Sequence, residues 1–188
     1  MSAILTPATV LDFWFAGDPT VWRPFWFTKD TGLDAACAAF LATRQAALDG
    51  ALDFWAETPR GALALLILLD QMSRNLFRDS AQAFAADPQA HAIASAALAR
   101  GFDAALTPVE RVFVYLPFEH TETLADQNLS VRLFEALAPI EGAEVALYAH
   151  RHRDVIRRYG RFPHRNAALG RVSTPEELDY LAQPGAGF

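Results

Sequence analysis

Apolar residues recur along this chain at helical spacing, in stretches that open on a capped proline and close on glycine. Val10, Phe13 and Trp14 share one face of the segment that begins at Pro7. Leu33, Cys37, Phe40, Leu41 and Leu48 do the same between 33 and 49, as do Val145, Tyr148, His152, Val155, Ile156 and Tyr159 between 143 and 159. Thr6-Pro7, Thr58-Pro59, Asp87-Pro88, Thr107-Pro108 and Thr174-Pro175 each place a capping side chain before a proline whose missing N–H costs nothing at the first helical position. Thr107 with Glu110 and Thr174 with Glu177 read as full capping boxes. Gly17, Gly50, Gly101 and Gly160 stand where helices should stop. No segment alternates strictly as a strand does. The pattern therefore predicts an all-α protein, with helices over about 7–16, 33–49, 59–77, 88–100, 108–116, 119–138, 143–159 and 175–181. Pro117 separates the fifth from the sixth. Short turns between them suggest antiparallel helical hairpins, as a stacked array or an irregular bundle, in one domain over 1–188. No fixed-period repeat supports the array.

The chain is organised around Gly61 to Arg78. Ala62 to Leu69 is apolar on every side, and Asp70, Gln71, Arg74, Asn75 and Arg78 follow on the same predicted helix. Such an element enters a core and delivers a polar cluster at one end of it. Asp70 and Arg74 are four apart and can pair; Arg74 and Arg78 are also four apart and repel unless an anion lies beside them. The aromatic run Trp22 to Phe27 reads as a lid on the core.

Composition narrows the class. With 52% hydrophobic residues in 188, there is material for a core and no sign of disorder. The apolar run 62–69 falls far short of the roughly 20 residues that a membrane-spanning helix needs. Residues 1–15 lack a basic start ahead of an apolar stretch, so neither a secretory signal nor a membrane partner is expected. Cys37 is the single cysteine; it excludes an internal disulfide, reads as a small buried hydrophobe and fits a cytoplasmic protein. A net charge of −6 argues against nucleic acid as a partner. Yet 151–171 holds seven arginines against one acid, Asp154, which points to structured, paired guanidinium groups.

Two further polar clusters interrupt apolar context. One is Glu119, His120 and Glu122, followed by Asp126 and Gln127; Glu119, Glu122 and Asp126 fall three and four apart, on one face if a helix runs through them. The other is Arg161, His164, Arg165 and Asn166, with His150 and His152 ahead of it. The simplest reading is that these charges satisfy one another and fix helix register. A metal site is not expected: no Glu-x-x-His or His-Glu-x-x-His occurs, and nothing calls for a cofactor. There is no Gly-x-Ser-x-Gly elbow and no phosphate-binding glycine loop. The sharper reading is a pocket for a small polar or anionic molecule. Arg74, Arg78, Arg161 and Arg165 would supply charge, and Glu119, His120 and His164 acid–base chemistry of a hydrolase type. On that reading Asp70, Arg74, Glu119, His120 and Arg165 converge.

The motifs also carry a resemblance. Phe13–Phe15 (FWF), WF-x-KD at 26–30, LLDQ-x-x-RN at 68–75, PFEH-x-E at 117–122, GRFPHRN at 160–166 and LGR-x-ST-x-EE at 169–177 together resemble the Domain of Unknown Function 924 family of bacteria. The one departure is Met72-Ser73, where the pattern more often has a bulky residue and proline. The resemblance implies a tetratricopeptide-like α–α superhelix of stacked hairpins, and no activity or catalytic residue. A fold of that kind brings a second expectation, a module that binds a protein or peptide and whose polar clusters are structural.

Overall fold

In the computed structural model, which describes residues 3–187, helices begin at four of the five capped prolines. The Thr6 hydroxyl accepts from the Thr9 N–H ahead of α1 (Pro7–Phe15), and the Thr58 hydroxyl accepts from Gly61 ahead of α4 (Pro59–Leu66). Both capping boxes form. Thr107 and Glu110 exchange bonds of 2.9 and 3.2 Å before α7 (Pro108–Glu119), and Thr174 and Glu177 do so before α10 (Pro175–Leu181). The exception is Asp87, which lies inside α6 (Asp87–Ala99) and turns its carboxylate to Arg74 instead of capping. The described residues contain no strand, and the class is all-α. None of their helices is long and apolar enough to cross a membrane.

The chain divides into two compact units. The first takes in the described residues up to Arg78 together with Gln82–Pro117: α1, α2 (Thr31–Cys37), α3 (Leu41–Leu48), α4, α5 (Met72–Leu76), α6 and most of α7. Its centre is α4 and the turn after it, where Leu63, Leu65, Leu66, Ile67, Leu68 and Leu69 are all fully buried. Burying each such side chain is worth about 1.5–3 kcal/mol. Trp14, Phe15 and Trp26 meet the Phe113 ring edge-on at 5.7, 5.5 and 4.9 Å. Trp26 is the buried part of the aromatic lid, while Trp22 and Phe27 stack on each other nearer solvent. Cys37 is buried, and burial pushes its thiol up to about 12.

The organising helix is not regular throughout. Ile67–Gln71 is a π-helical turn between α4 and α5. There the Ser73 hydroxyl donates to the Leu68 carbonyl (3.3 Å) and accepts from the buried Arg44 Nε (3.0 Å). The Arg44 bond comes from 29 residues away, so no local pattern announces it.

The second unit comprises Asp79–Ala81 and the described residues from Phe118 onward. Helices α8 (Leu124–Glu141) and α9 (Ala143–Tyr159) form a hairpin through Gly142. Gly160, at φ +70°, ends α9 in the left-handed conformation that the sequence pattern anticipates. Phe162 then turns inward against Val155 and Ile156, with Tyr159 and Tyr180 packed on them.

The expected break at Pro117 does not occur. Helix α7 runs through Pro117 to Glu119, and the next helix starts at Leu124, capped by Thr123. A proline this close to a helix end removes only the bond to the Phe113 carbonyl, in a turn that is about to finish anyway. Glu119, Glu122 and Asp126 therefore do not share a helical face: they lie at the end of α7, in the turn, and in the first turn of α8.

One glycine tests the packing of the central helix. A Cβ on Gly61 would overlap the Trp55 carbonyl oxygen, a backbone atom that cannot swing aside, and would press the Thr58 hydroxyl at 2.9 Å. Replacing a helical glycine with alanine ordinarily gains about 1 kcal/mol. Gly61→Ala is instead expected to destabilise by about 1–3 kcal/mol, the usual cost of overpacking. A denaturant melt checks the sign, and a variant as stable as the parent contradicts this packing.

Candidate functional site

The polar residues after the π turn are paired within the first unit. The Arg74 guanidinium reaches Asp70 at 3.0 Å and grips the Asp87 carboxylate with two bonds of 3.0 and 3.1 Å. The Gln71 amide donates to Asp70, which is 1% exposed. Asn75 and Arg78 both donate to Asp34, and the Arg78 bond foremost holds that carboxyl below its ordinary range. The repulsion anticipated between Arg74 and Arg78 is thus answered by separate carboxylates. Arg74 meets Asp70 and Asp87, and Arg78 meets Asp34. Asp34 is more than forty residues from Arg78 in sequence, and Asp87 reads as a cap, so neither partner was visible beforehand.

In the second unit the predicted residues sort into a frame and an inner group. In the frame, Arg171 donates to both Glu122 oxygens (2.7 and 2.9 Å) and the Phe162 N–H donates to one of them (2.7 Å). Arg161 grips Glu177 in the same two-pronged way at 2.6 and 2.7 Å. Asn166 joins the two pairs, donating to Glu177 at 3.1 Å and accepting from Arg171 Nε at 2.9 Å. Burial pushes the Glu122 carboxyl up, but the Arg171 and Phe162 bonds outweigh it and hold the group below its ordinary value. Above all the Arg161 bonds bring Glu177 down to about 2. Arg161, Glu122 and Asn166 thereby fold the 160–171 loop back on itself.

The inner group surrounds the buried Phe162 ring. The His152 ring meets it edge-on at 5.6 Å, His164 lies at 5.5 Å, and the Arg165 guanidinium sits over it at 4.5 Å. His120 is 6.3 Å from His152, ring to ring, and its carbonyl accepts from Arg165 Nη1 at 3.0 Å. Gly187 comes close to His164: a Cβ added there would lie 3.0 Å from the His164 Cβ. His152 and Arg165 are 8% and 6% exposed.

The proton on His152 can be placed. Its Nδ1 lies 2.9 Å from the Tyr148 carbonyl and 3.2 Å from Glu119 Oε1. A carbonyl oxygen can only accept, so Nδ1 carries the hydrogen and Nε2 the lone pair. Burial drives the His152 pKa well below the ordinary histidine value. The Tyr148 bond pulls the other way, and the charges of His120, Arg165 and His164 add to the fall. The ring is therefore neutral at pH 7. A carboxylate behind Nδ1–H with a lone pair on Nε2 is the orientation that suits an imidazole to accept a proton.

The chain matches, over residues 10–185, the family described as bacterial protein of unknown function (DUF924). It belongs to that family. A solved structure of a protein of unknown function from Agrobacterium tumefaciens is similar to this DUF924 chain, at 41% identity and a TM-score of 0.85. The match covers 94% of the DUF924 chain and 96% of the other. No curated protein matches.

The sequence-predicted residues of this DUF924 protein are divided between the two units. Asp70, Gln71, Arg74, Asn75 and Arg78 belong to the first unit; Glu119, His120, Glu122, Arg161, His164, Arg165 and Asn166 belong to the second. His152 is the residue that sequence reading underweighted, because it sits on the apolar stripe of α9 like a core residue. The signal was there: a histidine on a buried face needs a partner, and the Glu119 of PFEH supplies one. His150 is exposed and pairs with Glu135. Among the described residues no group of three His, Cys, Asp or Glu side chains is arranged to hold a metal.

The frame makes a pH prediction. The folded pKa of Glu177, about 2, lies below its ordinary 4.5, so its stabilisation is complete above pH 4.5 and drains away as pH falls toward 2. Glu177→Gln is expected to lower the melting temperature at pH 7 and to flatten the acid limb between those values. Equal acid sensitivity in the two proteins contradicts the role given to this carboxylate.

Proposed function

We propose that the second unit binds a small anionic molecule at Arg165, with His120 and His164 beside it, and that the Glu119–His152 pair handles a proton of that molecule or of a water attacking it. One observation carries this reading: a neutral, buried imidazole is oriented by a buried carboxylate and a main-chain carbonyl at the same place as a buried guanidinium. A core that merely needed filling would use an apolar ring at 152, since a buried polar group without purpose is costly. An arginine stacked on Phe162 presents a planar fork suited to carboxylate or phosphate oxygens. Hydrolysis of a small acidic substrate is the chemistry that such a pair serves.

The test uses inorganic phosphate and acetate as probes, followed by calorimetry and by histidine chemical shifts. Wild type is expected to bind at least one of them. Arg165→Gln should weaken binding about 10–100-fold, the loss of one charge-assisted bond of about 1.5–3 kcal/mol, and Arg165→Lys less. Arg157→Ala, at an exposed arginine of α9, should leave the affinity unchanged. No binding by wild type, or equal loss in Arg157→Ala and Arg165→Gln, contradicts the reading.

Stability gives a second check. Because the folded pKa of His152 lies below its unfolded value of 6.5, protonation favours the unfolded chain. The wild type is therefore expected to lose stability as pH falls below 6.5, and His152→Gln to lose less over that range. Identical profiles in urea melts contradict a buried neutral imidazole.

A further inference from the structure

Helix α7 ends in carbonyl groups that no further helical N–H can reach. In the second unit, the carbonyls of the last two helical residues and of the two residues after them find donors. The Phe118 carbonyl accepts from the N–H and hydroxyl of Thr121, at 3.4 and 3.2 Å. The His120 carbonyl accepts from Arg165, at 3.0 Å. The Glu119 and Thr121 carbonyls both accept from the amide of one residue, Gln127 of α8, at 2.6 and 2.8 Å.

We infer that Gln127 is a positioning residue for the proposed site: by donating both amide hydrogens to the carbonyls on either side of His120, it fixes the turn from which Glu119 reaches His152 and to which Arg165 is tied. The inference rests on the anion-site reading above for its functional meaning. Gln127 is fully buried, and the turn dictates its orientation. Its Oε1 is enclosed with no donor, and so is the Ser130 hydroxyl one turn further along α8. A buried amide normally satisfies both of its ends. Here the oxygen is left without a donor while both hydrogens are committed, because the reverse orientation would set three oxygens against one another. Removing the amide frees Glu119 and His120 together. Glu119 would then no longer hold Nδ1 of His152, and Arg165 would lose the fixed acceptor that anchors it over Phe162.

The experiment compares Gln127→Met, which keeps the length and loses both donors, with Gln127→Asn, which keeps the donors one methylene short. Val131→Ala, a buried apolar truncation on the same helix, is the control for stability alone. Each folded protein is titrated by NMR at its imidazole carbons, and its affinity for inorganic phosphate is measured. Val131→Ala should melt earlier while His152 titrates as in wild type. Gln127→Met should displace the His152 titration from that of wild type and weaken phosphate about tenfold, with Gln127→Asn between the two. If the folded Gln127 variants titrate as wild type does, the positioning role is wrong, whatever they bind. If wild type ignores phosphate, the anion reading fails, and the His152 titration still decides the role of Gln127. Should Gln127→Met not fold, Gln127→Asn carries the same comparison.

Discussion

The second unit depends on how a helix that ends inside protein disposes of its last carbonyls. Residues 118–121 leave four acceptors where α7 stops, and each receives a side-chain or turn donor within the same unit. Those donors come from Thr121, from Gln127 on α8 and from Arg165 in the loop after α9. One backbone requirement thus draws the hairpin and the 160–171 loop to the same spot. Glu119 and His120 are the residues carried by that turn, so the solution to a folding problem also orients the acid and the histidine. A cation at a helix C-terminus is favoured as well, because the helix dipole presents its negative end there. Part of what looks functional in Arg165 is therefore structural, and the guanidinium serves both purposes from one position.

Local signals were legible in the sequence and long-range ones were not. The caps at Thr6, Thr58, Thr107 and Thr174 need only the two to four residues that follow them, and they formed. Asp87 looked like a fifth cap but lies within reach of Arg74, and a bidentate ion pair outcompeted one bond to a backbone N–H. Pro117 read as a break because its cost was charged to a helix interior, whereas it sits in the last turn. The π turn at Ile67–Gln71 depends on Ser73 and on Arg44, which no helical periodicity connects. For the same reason the clusters were found residue by residue while their pairings, such as Arg78 with Asp34 and Arg171 with Glu122, were not.

The two sets of polar residues differ in how their charges are arranged. In the first unit Arg74 pairs with Asp70 and Asp87, and Arg78 with Asp34. In the second, Arg161 and Arg171 are consumed by Glu177 and Glu122, which closes the loop. Beside that closed loop, Arg165, His152 and His164 gather round Phe162, with His120 next to His152 and Glu119 as the carboxylate against it. Membership in DUF924 supplies no chemistry for this group, so its meaning must come from the group itself.

The central claim is that burial keeps His152 neutral while the Tyr148 carbonyl and Glu119 hold its proton on Nδ1. Long-range proton–nitrogen correlation of the 15N-labelled protein at pH 7 reads this directly, with His152→Gln to assign the signal. The account predicts one protonated nitrogen, Nδ1, and an unprotonated Nε2. An imidazolium, or a neutral ring with its proton on Nε2, would contradict it.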